Sequence, residues 1–291
     1  MPVKNSLRVV LEMIKFEHTL FALPFAGMGM VLAAGGWPSG RTVSWIVAAM
    51  VGARSAAMGW NRFADRALDA ANPRTRGRAL PAGLVSPRFV ALFVAASLAL
   101  LVVAAWRLNP LCLALSPLAI AVLLGYSYSK RFSWAAHLVL GLALAGAPLG
   151  AWIAVRGGVE AVPFVLAGVV LTWVAGFDVL YALQDERHDR AVGLFSIPAR
   201  FGTRKALAIS AALHGVTLLL LVLLPFLYRP GLGAPYWVGV AGCAALLGWQ
   251  HWIVPPGDLS RLNAAFFTAN GLLAAWLFAA TAIDLLVRAR G

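Results

Sequence analysis

The chain has 291 residues, of which 61% are apolar and only 12% charged, and its mean hydropathy is +0.82. These values exclude an ordinary soluble globular domain and predict a protein whose solvent is lipid. The net charge of +13 is typical of nucleic-acid-binding proteins, but its distribution along the chain, described below, assigns it to membrane topology. We therefore expect the lipid bilayer, and no nucleic acid, as a partner.

Apolar runs of about 20 residues, long enough to cross a hydrocarbon core of roughly 30 Å, occur about nine times. They predict transmembrane helices over residues 16–36, 42–60, 87–107, 110–128, 134–155, 162–183, 206–228, 235–254 and 263–287. The strict alternation of a transmembrane β-barrel is absent. The first run is followed directly by further spans, which favours a retained helix over a cleaved signal peptide. The sequence thus predicts one all-α integral membrane domain over 1–291.

The second predicted span ends in the first of two acidic segments, which runs from Asn61 to Asp69. Residues four apart on a helix differ by about 40° in projection. The side chains of Asn61, Asp65 and Asp69 are therefore predicted to lie on one helix face. Like charges at this spacing repel, so we expect a cation nearby.

The sixth predicted span ends in the second acidic segment. Asp178, Asp185 and Asp189 are seven and four residues apart, which places them on one face of a continuous helix, with Tyr181 beside them. Asp65 and Asp185 are 120 residues apart, as are Asp69 and Asp189. This offset predicts a weak internal duplication, with halves of about 1–133 and 134–291.

Oxygen ligands without a nearby set of Cys or His residues favour magnesium, which is usually held by one or two carboxylates together with substrate phosphates. The sequence therefore predicts that Asp65, Asp69, Asp185 and Asp189 bind Mg²⁺ on both sides of one diphosphate. The alternative interpretation is a pair of solvated helix ends whose carboxylates form surface ion pairs with neighbouring arginines.

Lys and Arg residues concentrate on one side of the predicted topology, which holds 18 of the 24. The six exceptions are Arg41, Arg107, Arg156, Arg229, Arg288 and Arg290. This asymmetry follows the positive-inside rule. It predicts a multi-pass protein of the inner (plasma) membrane with the N-terminus and both acidic segments on the cytoplasmic side.

These residues resemble the UbiA superfamily of intramembrane aromatic prenyltransferases over most of the chain. Three segments carry the resemblance: Asn61 with Asp65 and Asp69; Asp178 with Tyr181, Asp185 and Asp189; and Tyr126 to Arg131, similar to the family's Y-x-x-x-K-R. One departure is Arg62, where many ubiquinone-pathway members carry a second Asp. The segments surrounding the motifs look most like 4-hydroxybenzoate polyprenyltransferases or their menaquinone-pathway relatives.

The resemblance implies nine helices around a central cavity and Mg²⁺-dependent transfer of a polyprenyl group from its diphosphate to an aromatic acceptor. The implied acceptor is 4-hydroxybenzoate or a related carboxylated aromatic in quinone biosynthesis, with naphthoate, homogentisate or haem as alternatives. It also implies that Lys130 and Arg131 bind the diphosphate and that Lys15 holds the diphosphate or an acceptor carboxylate. The other substrate-binding residues that it implies are Asn61, Tyr126, Asp178 and Tyr181. Interfacial anchoring is the alternative role for these basic residues.

Two other classes of membrane protein also use carboxylates. An ion-coupled transporter is expected to place them near the bilayer midplane, whereas here they lie at predicted helix ends. CDP-alcohol phosphotransferases carry a D-G-x-x-A-R segment that this chain lacks. A scaffold would leave two acidic faces unexplained.

Overall fold

A computed structural model describes residues 6–14, 19–229 and 231–289. Within these ranges the chain is helical or irregular and contains no β-strand, which confirms the predicted all-α fold. The helices are α1 (Ser6–Met13), α2 (Thr19–Ala34), α3 (Gly40–Ala64), α4 (Arg66–Ala71), α5 (Pro87–Leu108), α6 (Pro110–Gly125), α7 (Ala136–Arg156), α8 (Ala161–Ala182), α9 (Glu186–Val192), α10 (Ile197–Phe201), α11 (Thr203–Leu227), α12 (Ala234–Trp252) and α13 (Asn270–Arg288).

The chain forms two compact units. The first comprises Met1–Thr19 and Ser44–Tyr128, and the second comprises Leu20–Val43 and Ser129–Gly291. The predicted repeat halves divide the chain at about residue 133, and that duplication stays a prediction.

In the first unit, α5 and α6 begin where the sequence places them because each has a capping residue followed by proline. Ser86 Oγ accepts the Phe89 N–H at 3.1 Å, and Asn109 Oδ1 accepts the Cys112 N–H at 2.9 Å. Proline follows each cap, where its missing N–H costs no helical hydrogen bond. A buried cluster then packs α5 against the end of α3 that carries the first acidic segment. Its members are Met13, Ile14, Ala56, Leu80, Val90 and Val94.

In the second unit, α8 packs closely against both α7 and α11. Two glycines permit this approach: a Cβ on Gly141 would overlap the carbonyl oxygen of Leu171, and a Cβ on Gly176 would overlap the His214 ring. Close helix packing through small residues is typical of membrane helices. It fixes α8, whose end carries the second acidic segment.

A π-helical turn, Ala264–Ala269, leads into α13. Two of its backbone oxygens accept hydrogen bonds from buried side chains. Gln250 Nε2 donates to the Ala265 oxygen at 2.8 Å, and Asn270 Nδ2 donates to the Phe266 oxygen at 2.8 Å. The Trp173 indole N–H donates to Asn270 Oδ1 at 2.9 Å, which ties this turn to α8. Single π turns are often found at functional sites.

Six helical segments in the described ranges are long and apolar enough to cross a membrane. They are Pro87–Leu108, Pro110–Arg131, Ala136–Arg156, Ala161–Val192, Thr203–Leu227 and Ala264–Arg288. The other three predicted spans overlap α2, α3 and α12, which lie outside this set. The chain is therefore an integral membrane protein, and the count of nine spans stays a prediction.

Candidate active site

The first acidic segment lies where one helix ends and a short one begins. Helix α3 ends at Ala64, and Asp65, with φ −92° and ψ 7°, separates it from the six-residue α4. The backbone bonds from Asp65 N–H to the Asn61 oxygen (2.9 Å) and from Asp69 N–H to the Asp65 oxygen (2.8 Å) carry the chain across this break. The Asp65 side chain does not cap α4.

Arg62, which stands where many ubiquinone-pathway members carry an Asp, supports this motif through hydrogen bonds. Its Nη1 donates to Asn61 Oδ1 at 3.2 Å, and the Asn61 amide donates to Asp65 Oδ2 at 3.2 Å. Its Nε donates to the Met13 carbonyl oxygen at 3.3 Å. Because Arg62 and Asp65 are both buried, this chain of bonds fixes the orientation of the Asp65 carboxylate.

Asp69 is held by the loop that follows α4. Arg78 Nη1 donates to its two carboxylate oxygens at 2.7 and 2.9 Å. The Thr75 hydroxyl donates to its backbone oxygen at 3.0 Å. The arginine-containing loop thus supplies a counter-ion to the buried Asp69 carboxylate, as expected for a charge removed from water.

The second acidic segment is not the continuous helix that the sequence predicts. Helix α8 ends at Ala182, a 3₁₀ turn covers Leu183–Asp185, and α9 begins at Glu186. The prediction of one continuous helix from Asp178 to Asp189 is therefore wrong, because a 3₁₀ turn, with about 3.0 rather than 3.6 residues per turn, interrupts it.

The same kind of helix break occurs in both acidic segments, at Asp65 and at Asp185. Asp185 has φ −101° and ψ 1°, close to the values at Asp65, and it too leaves the following helix without a side-chain cap. This bridge region of backbone space is sparsely populated and is where many active-site residues lie. Both Asp-x-x-x-Asp motifs therefore place their first carboxylate at a helix break and their second inside a short helix.

Asp178 and Glu186, near the second motif, are bound to other side chains. Asp178 Oδ2 lies 2.7 Å from Nδ1 of His137 on α7. Glu186 accepts from Arg190 at 2.9 Å and from the Thr203 hydroxyl at 2.7 Å, so it joins α9 to α11. The structure thus separates Glu186, which has a structural role, from Asp185 and Asp189.

Asp189 lies beside a loop and a lysine. The Ser196 side chain, Asp185 and Lys130 all lie close enough to the Asp189 carboxylate to act on its charge. The Phe195 N–H donates to the Lys130 carbonyl oxygen at 2.8 Å. The structure therefore brings Lys130, from the Y-x-x-x-K-R segment, next to the second acidic motif within the second unit.

The remaining predicted site residues occupy a 3₁₀ turn, an aromatic cluster and the N-terminal segment. Tyr126 begins the 3₁₀ helix Tyr126–Arg131, donates its hydroxyl to the Ala57 oxygen at 3.4 Å, and belongs to the first unit. Arg131 ends the turn and is exposed. The Tyr181 ring packs on Phe266 of the π turn with centroids 4.1 Å apart. Lys15 lies outside the described residues.

Sequence reasoning missed the partners that orient the carboxylates. His137 is an isolated histidine within an apolar run, and the structure shows it bound to Asp178. The pairings of His137 with Asp178 and of Arg78 with Asp69 span 41 and 9 residues, and neither follows a helical period. The only indication in the sequence that Arg78 could pair with Asp69 was its position in the Arg-rich loop after α4.

Comparison with known proteins identifies the family. Residues 22–281 match the model of the UbiA prenyltransferase family. The chain belongs to the UbiA prenyltransferase family. It is 30% identical over 268 residues to the 4-hydroxybenzoate octaprenyltransferase of Sodalis glossinidius, covering 92% of this chain and 89% of that protein. It is 36% identical over 241 residues to the enzyme of the same name in Aeromonas salmonicida, covering 82% of each.

Solved structures agree with this UbiA assignment. A UbiA homologue from Aeropyrum pernix K1, in its apo form, superposes with a TM-score of 0.80 at 32% identity, over 94% of this chain and 98% of the other. A UbiA homologue from Archaeoglobus fulgidus bound to GPP and Mg²⁺ has a TM-score of 0.75 at 21% identity, over 96% and 99%. The predicted family, fold class and enzyme class, a prenyltransferase, are confirmed.

Proposed function

We propose that this UbiA-family protein transfers a polyprenyl group from polyprenyl diphosphate to a carboxylated aromatic acceptor such as 4-hydroxybenzoate, in a magnesium-dependent reaction of quinone biosynthesis. The observation that carries the proposal is the repeated geometry of the two Asp-x-x-x-Asp motifs, each with one carboxylate at a helix break. The names of the relatives support the acceptor, since both enzymes compared above are 4-hydroxybenzoate octaprenyltransferases.

The carboxylates fit magnesium by number and by chemistry. Among the residues that the structure describes, no group of three or more His, Cys, Asp or Glu side chains forms a closed metal cage. Each motif instead offers a pair of carboxylates, Asp65 with Asp69 and Asp185 with Asp189. Magnesium is bound in this way, through one or two carboxylates, waters and substrate phosphates. Bound magnesium would neutralise the negative charge that grows on a departing diphosphate.

The protein's own cations would share that task. Lys130 lies beside Asp189 at the second motif, and Arg131 follows it on the exposed end of the same turn. As the allylic C–O bond breaks, its electron pair leaves with the diphosphate, where fixed positive charge stabilises it. A ring carbon of the acceptor then forms the C–C bond, and the ring proton passes to a nearby base, for which Asp189 and Tyr181 are the candidates.

A direct assay tests this function. Purified protein incubated with magnesium, a polyprenyl diphosphate and a panel of aromatic acids should yield a product whose mass is that of the acceptor plus the prenyl group minus one hydrogen. Chelating the magnesium should abolish the product. Naphthoate and homogentisate in the same panel identify the acceptor, and failure to prenylate any aromatic acid would contradict the proposal.

We also propose that the protein lies in the inner membrane with both acidic motifs on its cytoplasmic side, on the basis of the Lys and Arg distribution. Single cysteines at the exposed positions Arg76 and Arg200, in a chain lacking Cys112 and Cys243, should react with an impermeant reagent only from the cytoplasmic side. Cysteines at Val159 and Arg229, also exposed, should react only from the other side. The reverse labelling pattern would contradict this orientation.

A further inference from the structure

His137 is a buried residue of α7 with both ring nitrogens in hydrogen bonds. The backbone N–H of Ile197 donates to His137 Nε2 at 3.2 Å. Because a nitrogen that accepts this bond carries no proton, the proton of the neutral ring lies on Nδ1. Nδ1 in turn lies 2.7 Å from Asp178 Oδ2 and therefore donates to it. The surrounding hydrogen bonds thus fix the tautomer.

The bond to Ile197 belongs to a set of backbone hydrogen bonds that hold a single loop, residues 193–197. The Leu194 N–H donates to the Asp189 backbone oxygen at 2.9 Å, and the Phe195 N–H donates to the Lys130 oxygen at 2.8 Å. Three amides of the loop are therefore bound to three different residues, and each of these is a predicted site residue or its direct partner.

The loop also contacts a carboxylate. Ser196, buried between the Phe195 and Ile197 amides, lies close enough to the Asp189 carboxylate to act on its charge, and its hydroxyl oxygen accepts the Ala199 N–H at 3.3 Å. Its position depends on the peptide that follows it, whose N–H is held by His137. Loss of the imidazole would release that peptide and leave the Asp178 carboxylate, whose side chain is 25% exposed, without its donor.

We infer that His137 is a positioning residue of the prenyl-transfer site, which acts by orienting Asp178 directly and Asp189 through the 193–197 loop. This role rests on the proposed function. It is distinct from a general packing role because it requires one hydrogen-bond donor and one acceptor at opposite ends of the side chain. Hydrogen-bond partners behind a metal-binding group typically change metal affinity or activity about 10- to 100-fold when they are removed.

Two substitutions separate the alternatives in the full-length protein. His137→Gln keeps an amide N–H for Asp178 and a carbonyl oxygen for the Ile197 N–H, whereas His137→Leu keeps similar volume and removes both. His137→Leu should lower kcat/KM about 10- to 100-fold and raise the magnesium concentration needed for half-maximal rate. His137→Gln should remain within about threefold of the parent, since it retains both bonds.

A role in packing alone would reduce the yield of folded protein but leave the magnesium requirement of the folded fraction at the parental value, and that result overturns the inference. Equal damage from Gln and Leu also overturns it. A parent protein that prenylates no aromatic acid would instead contradict the proposed function.

A spectroscopic measurement tests the hydrogen bonds without any turnover. In ¹⁵N-histidine NMR spectra of the parent chain, the signal that His137→Gln removes should report a neutral ring protonated at Nδ1. A ring protonated at Nε2 would overturn the inference, because such a nitrogen cannot accept the Ile197 N–H. This test needs only the parent and the Gln variant, so it holds even where His137→Leu fails to fold.

Discussion

Replacing Asp185 by Asn is expected to lower turnover at least about a hundredfold, and Asp69→Asn should do the same. The physical reason is that a magnesium ion on either carboxylate pair stabilises charge that appears only as the diphosphate leaves. Its loss therefore raises the barrier itself. Turnover should be measured by product mass at saturating prenyl diphosphate and limiting magnesium. Because Asp69 pairs with Arg78, Asp69→Asn also removes part of that ion pair, and a thermal melt of this variant should accompany its kinetics.

Glu186→Gln is the matched control for these two substitutions. Glu186 directly follows Asp185 but is occupied by Arg190 and Thr203, so its neutralisation should leave turnover within about threefold of the parent. The double variant Asp69→Asn, Asp185→Asn should be much less impaired than the product of the single effects, because groups that serve one step are not additive. Near-normal turnover in either single variant would contradict a role for that motif in binding magnesium.

Lys130→Met is expected to lower kcat/KM for the prenyl diphosphate about a hundredfold without unfolding the protein. The fold uses the backbone of this residue: its carbonyl oxygen accepts the Phe195 N–H, and a methionine retains that oxygen. The ammonium group, close to Asp189, is what the substitution removes. Steady-state kinetics with varied prenyl diphosphate, alongside a thermal melt in detergent, would separate these two contributions.

Lys205→Met serves as the control for general loss of positive charge. Lys205 is exposed in the first turn of α11, so its removal changes the net charge equally but should leave kcat/KM unchanged. Equal effects of the two substitutions would assign Lys130 to membrane anchoring rather than to the diphosphate.

The sequence predicted the helices well where the signal was local. Spans 87–107 and 110–128 were confirmed as α5 and α6. Both helices have a local start signal, a capping residue followed by proline. Apolar length alone predicts a span and cannot predict a change of helix type. The 3₁₀ turn before Asp185 and the π turn at Ala264–Ala269 were missed for this reason, since both consist of residues that also form ordinary α-helices.

The motifs were predicted from spacing, but the contacts of their side chains were not. Arg62 was noted only as a departure from the family pattern, whereas the structure shows it holding Asn61, which in turn holds Asp65. Such contacts depend on side-chain orientation and, for His137 with Asp178, on two helices far apart in sequence. A single sequence carries no periodic signal for these pairings.

The π turn at Ala264–Ala269 also makes the last helix sensitive to chain length. Each residue added to or removed from a helix rotates everything beyond it by about 100°. The buried face of α13 includes Asp284, which is bound to the Gly233 N–H at 2.8 Å and to Arg288 at 3.0 Å. Deleting one residue from the turn would rotate this carboxylate away from the Gly233 N–H, whereas Arg288, on the same helix, would rotate with it. The length of this segment is therefore constrained even where its individual residues are not.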